Sequence, residues 1–106
     1  MAFIDLSKTA SREIVPGYRA RFVHAENMTL AYWDVEPGAE LPEHAHPQDQ
    51  IANVLEGEFE LTVDGKSRVL VPGQVALIPG NVPHSGRALT ACRLLDAFQP
   101  ARDDYR

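Results

Sequence analysis

Proline and glycine interrupt this sequence so often that they leave little room for long helices. From Tyr18 onward, short runs of β-branched and apolar residues alternate with turn signals, and no stretch holds a clear helical period. Turns are predicted at residues 36–40, 71–74 and 79–83. The candidate strands are residues 19–24, 28–35, 51–57, 58–63, 66–71, 74–79, 84–88 and 92–98. So many short strands in 106 residues predict an all-β sandwich or a small closed barrel, in which few strand edges stay exposed.

The segment around Asp64 and Gly65 predicts a β-hairpin. An Asp-Gly pair can adopt the positive φ angles of a two-residue type I′ turn, whose twist matches that of the strands it joins. In the preceding run, Phe59, Leu61 and Val63 alternate with polar residues. This alternation predicts a strand with one buried face and one solvent-exposed face.

The composition argues against several classes of function. The formal net charge is −5, so the chain lacks the basic surface that binds nucleic acid or anionic lipid. No apolar run approaches the ~20 residues needed to span a bilayer, and residues 1–17 contain no continuous apolar segment typical of a signal peptide. Cys92 is the only cysteine, which excludes an intrachain disulfide and fits a reducing compartment. We therefore expect a single-domain cytoplasmic protein, in which residues 1–15 form either a short helix or an edge strand.

Two of the four histidines, His44 and His46, lie one residue apart. Side chains two positions apart on a strand point to the same face of a sheet, so both rings can share one ligand. Imidazole is the commonest side-chain ligand for transition metals. Gln50 offers an amide oxygen close by, and His84 follows a distant turn, from which only a sheet or barrel can bring it near. A metal site at these four residues is one hypothesis, and exposed loop histidines are the alternative.

Asp96 interrupts the apolar run of residues 92–98 at a position where a core side chain would be expected. Asp96 and Phe98 share one face of the predicted strand. A buried carboxylate needs a partner, and a metal, a ligand or Arg102 could supply one. The alternative is an aspartate on the outward face of an edge strand.

Arg102 follows Pro100, where the last strand should end and the chain can bend over the barrel mouth. A guanidinium there could bind a carboxylate through two hydrogen bonds. The alternative is a solvent-exposed arginine that pairs with Asp103 or Asp104.

Two spaced motifs in this chain resemble those of the cupin family. The pattern Gly38-x5-His44-x-His46-x3-Gln50-x6-Gly57 is similar to the first cupin motif, which usually has glutamate where this chain has glutamine.

The pattern Gly73-x5-Pro79-x-Asn81-x2-His84 is similar to the second cupin motif, with asparagine in place of a glycine. Asparagine can still enter the left-handed region that a turn needs. The resemblance implies a single cupin domain at residues 1–106, folded as a double-stranded β-helix (jelly-roll) barrel. It also implies a barrel core at about residues 28–98, a tail at residues 99–106 over the barrel mouth, a divalent metal in that mouth, and a homodimer.

The C-terminal tail narrows the resemblance to the small KdgF-type cupins. The tail residues that carry this likeness are Asp96, Phe98, Pro100, Arg102, Asp104 and Tyr105. It implies a lyase or isomerase that opens 4,5-unsaturated monouronates from pectin or alginate to the linear 4-deoxy-5-keto-uronate. The implied metal is Ni, Zn, Mn, Fe or Co, and the implied ligands are His44, His46, Gln50 and His84. Asp96 would act as general acid/base, Arg102 would bind the carboxylate of the anionic sugar, and Phe98 would pack against its ring.

Two other functions remain compatible with these residues: an Fe(II) cupin dioxygenase, and a non-catalytic cupin that binds a sugar acid. The ligand set has one physical consequence in every case. Because three histidines and a glutamine are all neutral when bound, the ion would keep its full double positive charge. Such an ion is a stronger Lewis acid, but it should bind less tightly than it would beside a glutamate.

Overall fold

A computed structural model describes all 106 residues, which form ten β-strands and two short 3₁₀ helices. The strands are β1 (Arg12–Val15), β2 (Tyr18–His24), β3 (Thr29–Val35), β4 (Glu40–His44), β5 (Asp49–Glu56), β6 (Phe59–Val63), β7 (Lys66–Leu70), β8 (Val75–Ile78), β9 (His84–Ala88) and β10 (Cys92–Gln99). The 3₁₀ helices are Leu6–Lys8 and Asp103–Tyr105. The predicted all-β class is confirmed. Neither helix has the length or apolar character needed to cross a bilayer.

The strands form two antiparallel sheets that enclose one core. The six-stranded sheet has the order β1-β2-β3-β10-β5-β8, and the four-stranded sheet has the order β4-β9-β6-β7. The core between them includes Trp33, Val54, Phe59 and Leu94. The last long strand, β10, lies in the interior of the larger sheet between β3 and β5, so side chains on its inner face point into the core.

Eight of the ten strands match the runs predicted from the sequence. The predicted hairpin is also confirmed, because Asp64 (φ 49°) and Gly65 (φ 77°) join β6 to β7. Phe59 and Leu61 on β6 are buried, as their alternation with polar residues indicated.

Strand β4 was not predicted, and β1 was one of the two structures predicted for residues 1–15; both strands lie at sheet edges. β4 contains Pro42, which lacks the N–H that an interior strand needs but is tolerated where one side of the strand is unpaired. β1 pairs only with β2, and its register is irregular between Glu13 and Val15. Residues 1–15 therefore contain both structures that the sequence allowed, a short helix and an edge strand.

Candidate functional site

A cavity of about 310 Å³ lies between the two sheets. Most of its wall is apolar and includes Trp33, Leu41, Phe59 and Leu94. The polar and charged side chains that line it include His44, Gln50, His84, Asp96 and Arg102. The fold thus brings together chemical groups from three separate parts of the chain.

Three histidine side chains converge at this cavity. His44 on β4 lies directly opposite His84 on β9, and their ring centroids are 4.2 Å apart. His46 follows the end of β4, and its ring centroid lies 4.9 Å from that of His84. One ligand nitrogen from each ring lies within 4.8 Å of the others. The three histidines could therefore hold a metal ion.

The loop that carries His46 is fixed by the turn that precedes β9. The carbonyl oxygen of His46 accepts a hydrogen bond of 2.7 Å from the backbone N–H of Asn81. Asn81 adopts a φ of 66°, the left-handed conformation that asparagine tolerates. A Cβ atom on Gly80 would lie 2.3 Å from the carbonyl oxygen of Pro47, so only glycine allows the two loops to approach this closely. This contact keeps His46 beside the β4–β9 pair.

Backbone carbonyl groups orient all three imidazole rings in the same way. Each Nδ1 lies within hydrogen-bond distance of the carbonyl oxygen of a residue two positions away. The distances are 2.8 Å for His44, 3.1 Å for His46 and 2.9 Å for His84. A carbonyl oxygen can only accept, so in His44 and His84 Nδ1 carries the ring proton and Nε2 keeps its lone pair. His46 has an oxygen acceptor on each side, the Gln48 carbonyl at Nδ1 and Gln50 Oε1 at Nε2. Nε2 of His84 is buried and has no hydrogen-bond partner. This arrangement is typical of histidines that bind metal through Nε2.

The two buried histidines remain neutral at neutral pH. Burial, followed by the charges of Arg102 and His84, lowers the pKa of His46 to about 4. Burial also lowers the pKa of His84, although the hydrogen bond to Val82 opposes this effect. Protons therefore do not compete for these nitrogens near pH 7.

Gln50 completes the set of neutral donors. It lies on β5, is 8% exposed, and places Oε1 at 3.1 Å from Nε2 of His46. Imidazole nitrogens with one amide oxygen suit a divalent transition metal. The four residues thus fit the metal that the motifs imply, and the orphaned Nε2 of His84 is the observation that supports this fit.

Strand β10 places Asp96 and Phe98 at the same cavity. The neighbours of Asp96 across the strands are Ala31 and Ala52, whose small side chains leave space around its carboxyl group. Phe98 lies directly opposite Gln50 on β5 and is 3% exposed. Both residues therefore face the group of histidines rather than the solvent.

The environment of Asp96 favours its protonated form. Burial raises the pKa of Asp96 to about 6, while the nearby Gln50 amide and Trp33 indole act to lower it. The buried Nε1 of Trp33 has no partner in hydrogen-bond geometry, so this opposing effect is incomplete. A carboxyl group with this pKa can both accept and donate a proton near neutral pH.

Arg102 is buried beside the cavity and is 7% exposed. Its Cζ atom lies 4.8 Å from the ring centroid of Phe98 and 4.2 Å from that of Tyr105. Asp104 accepts hydrogen bonds from Nε at 3.0 Å and from Nη2 at 2.8 Å. The pairing with a tail aspartate considered in the sequence does occur, but the arginine that makes it is not solvent-exposed.

Comparison with known proteins identifies the family. Residues 31–98 match the Cupin domain family. The chain belongs to the cupin family. This cupin is 33% identical over 91 residues to the HTH-type transcriptional regulator PuuR of Escherichia coli strain K12, a match that covers 79% of this chain and 49% of PuuR. The chain thus spans about half the length of the first curated relatives that it matches.

Two proteins named KdgF resemble this cupin over nearly its whole length. The pectin degradation protein KdgF of Dickeya dadantii strain 3937 is 29% identical over 106 residues, which covers 97% of this chain and 96% of that protein. The structure of KdgF from Halomonas sp. superposes with a TM-score of 0.94 at 28% identity, over 100% of this chain and 99% of the other. The predicted likeness to the small KdgF-type cupins is confirmed.

Two residues, Thr29 and His24, support the site in ways that the sequence did not indicate. Thr29 Oγ1 accepts a hydrogen bond of 2.9 Å from the backbone N–H of Arg102 and lies 2.9 Å from Nδ1 of His24. Nε2 of His24 lies 3.3 Å from the carbonyl oxygen of Tyr105. These contacts fix the C-terminal tail of the cupin against β2 and β3. A lone histidine and a lone threonine form no pattern from which this role could be predicted.

Proposed function

We propose that this cupin opens the ring of 4,5-unsaturated monouronates from pectin or alginate, giving the linear 4-deoxy-5-keto-uronate. The observation that carries the proposal is that three converging histidines lie at one cavity, with His44 and His84 in its wall, and that the same cavity is lined by a carboxyl group with a raised pKa and a buried arginine. The full-length likeness to two KdgF proteins supports the same reaction.

The metal would be held by His44, His46, Gln50 and His84. A divalent ion bound there supplies a Lewis acid that polarises substrate oxygens. Because all four ligands are neutral, the protein cancels none of the ion's charge, which favours an anionic substrate.

Arg102 binds and orients the substrate through its carboxylate. The guanidinium lies against two aromatic rings and is almost fully buried, so it loses little freedom when a ligand binds. Phe98 lies between Arg102 and Gln50 and offers an apolar surface to the sugar ring. Together the two side chains would fix the ring relative to Asp96.

Asp96 moves the proton that the reaction requires. Ring opening is an isomerisation in which the C1 hydroxyl loses a proton, the bond from C1 to the ring oxygen breaks, and C4 gains a proton as the enol becomes a ketone. One carboxylate that first accepts the proton of the C1 hydroxyl and then donates a proton to C4 can serve both steps. The pKa of Asp96, about 6, suits both steps near neutral pH.

The direct test is an assay of ring opening with metal-loaded protein. Unsaturated monouronate absorbs in the ultraviolet because its C4–C5 double bond is conjugated with the carboxylate, and this absorbance is lost on conversion. The spontaneous rate must be subtracted, because catalysis is measured against that background. We expect clear acceleration with at least one of Ni, Zn, Mn, Fe and Co. No acceleration with any of these metals would refute the proposal.

A non-catalytic sugar-acid-binding cupin is the second candidate. The 33% identity to a transcriptional regulator supports it. Binding of an unsaturated monouronate without turnover would favour this function. Oxygen consumption during the assay would instead indicate a dioxygenase.

A further inference from the structure

Contacts with the protein fix most of the Arg102 side chain. Its Cζ atom lies 4.8 Å from the ring centroid of Phe98 and 4.2 Å from that of Tyr105, and the backbone N–H of Arg102 donates to Oγ1 of Thr29. Asp104 occupies one edge, since its two oxygens accept from Nε and Nη2. Nη1 donates to no backbone carbonyl or carboxylate, and Nη2 has a second N–H to donate; the side chain of Tyr105 is the other group close enough to act on the charge of the guanidinium. The open edge is therefore the end of the group, formed by Nη1 and Nη2.

That open edge has the geometry needed for a second carboxylate. A guanidinium can bind one carboxylate along its Nε side and another at its Nη1/Nη2 end, because its five N–H groups lie in one plane. Arg102 lines the cavity, whereas the side chain of Asp104 is 57% exposed. Asp104 thus lies on the solvent side of the arginine.

We propose that Asp104 is a positioning residue that fixes the side edge of Arg102, so that its Nη1/Nη2 end is presented to the carboxylate of a ligand in the cavity. This inference rests on the proposed function, because it names the group that prepares the anion-binding side chain of that site. Asp104 then affects ligand affinity and takes no part in the movement of protons.

The electrostatics of the pair agree with this role. Burial alone would lower the pKa of Arg102, but its hydrogen bonds to Asp104, its interaction with Tyr105 and the charge of the Asp104 carboxylate raise it above its ordinary value. The same pairing lowers the pKa of Asp104. The pair is therefore charged throughout the neutral pH range, and the orientation of Arg102 does not depend on a proton.

The chain contains a matched control on the same short helix. Asp103 is 84% exposed and makes a salt bridge of 2.8 Å to Arg106, away from the cavity. Asp103→Asn removes the same charge, one residue away, without touching Arg102. A difference between Asp104→Asn and Asp103→Asn therefore reports on Arg102 rather than on the tail in general.

The first experiment measures binding of a saturated monouronate, which has no double bond to react, by calorimetry with metal-loaded protein. We expect Asp104→Asn to raise Kd about tenfold, a loss typical of a disturbed charge-assisted contact. Asp103→Asn should change Kd by less than about twofold, and Asp104→Glu, which restores a carboxylate, should recover most of the loss. Unchanged or tighter binding by Asp104→Asn, or an equal loss in Asp103→Asn, would overturn the inference. Failure of the unmodified protein to bind any monouronate would also overturn it.

A double-mutant cycle separates positioning from a structural effect. In an Arg102→Met background, Asp104→Asn should cause no further loss of affinity, because its effect passes through the arginine. In turnover assays, Asp104→Asn should raise KM about tenfold and leave kcat within about threefold. If binding follows this pattern but no variant turns substrate over, the proposed ring opening fails and the role of Asp104 stands. Additive losses in the cycle would refute that role even if the enzyme is active.

Discussion

Oε1 of Gln50 lies 3.1 Å from Nε2 of His46. The carbonyl oxygen of Gln48 lies 3.1 Å from Nδ1 of the same ring, so the neutral ring, which has one N–H, sets an unprotonated nitrogen against an oxygen acceptor on one side or the other. Two acceptors at this distance repel each other unless a cation lies between or beside them. An ion held by Nε2 of His46 and Oε1 of Gln50 would remove this repulsion, and the neutrality of the amide would then set how strongly that ion is held.

Replacing Gln50 by glutamate should strengthen metal retention and slow turnover. The added negative charge attracts the cation but cancels part of the charge that polarises the substrate. We expect retention against a competing chelator to improve by about tenfold or more. Gln99→Glu, which adds the same charge at an exposed position of β10, is the control and should change neither property. Faster turnover in Gln50→Glu would contradict the charge argument.

Asp96→Asn should abolish most of the turnover and leave the bound metal in place. The carboxyl group is not one of the four proposed ligands, and its loss removes a proton donor and acceptor worth about 10²–10⁴ in rate. Metal analysis and the ring-opening assay on the same preparation measure both effects. Asp34→Asn is a suitable comparison, because Asp34 lies on β3 and pairs with Arg21 and Arg93 outside the cavity. An active Asp96→Asn enzyme would remove Asp96 from the mechanism.

Asp96 should also make the stability of the metal-free protein depend on pH. Burial raises its pKa from 3.8 to about 6, so the folded state retains a proton that the unfolded state releases. The stability gained from this proton is full below about pH 4 and is lost as the pH rises through about 6. From pH 4 to 8, the free energy of unfolding of the unmodified protein should fall relative to that of Asp96→Asn by up to about 3 kcal/mol. Urea denaturation in the presence of a chelator measures this difference, and parallel pH curves for the two proteins would be the contrary result.

The sequence was most informative where local chemistry and spacing determine structure. The Asp64-Gly65 turn depends on two residues alone, and the β6 pattern depends on alternation along one strand. His44 and His84 could be placed together only through the motif resemblance, because their contact depends on the pairing of β4 with β9. β4 itself escaped prediction, since Pro42 and its polar neighbours lack the signature of a strand.

The surroundings of Arg102 show why the rest of the site could not be predicted. In the sequence it is an arginine near the end of a charged tail, for which solvent exposure is the ordinary expectation. Its burial requires the rings of Phe98 and Tyr105 and the hydrogen bond to Thr29, which lies more than seventy residues earlier. Such contacts follow from the path of the tail across the barrel and have no local pattern.

One row of side chains on the outer face of the six-stranded sheet is apolar, where a solvent-facing sheet is normally polar. Leu77, Ile51, Ala97 and Leu30 are direct neighbours across β8, β5, β10 and β3. Leu77 is 74% exposed and Ile51 is 43% exposed. This row contains no charged side chain. Because a two-fold axis pairs a surface patch with itself, an uncharged patch of this kind suits a second copy of the chain, the homodimer that the resemblance implies.

Leu77→Asp should therefore disrupt the homodimer that the resemblance implies. In a homodimer formed through this face, the substitution would bury two uncompensated carboxylates near the two-fold axis, and each would have to be desolvated without a partner. Light scattering during gel filtration would give the mass of each variant directly. The control is Val69→Asp, which places the same charge at a 41% exposed valine on β7, in the other sheet, and which should remain dimeric. If the unmodified protein is a monomer, or if Leu77→Asp stays dimeric, this face is not the interface. In both cases the apolar row would remain in contact with water.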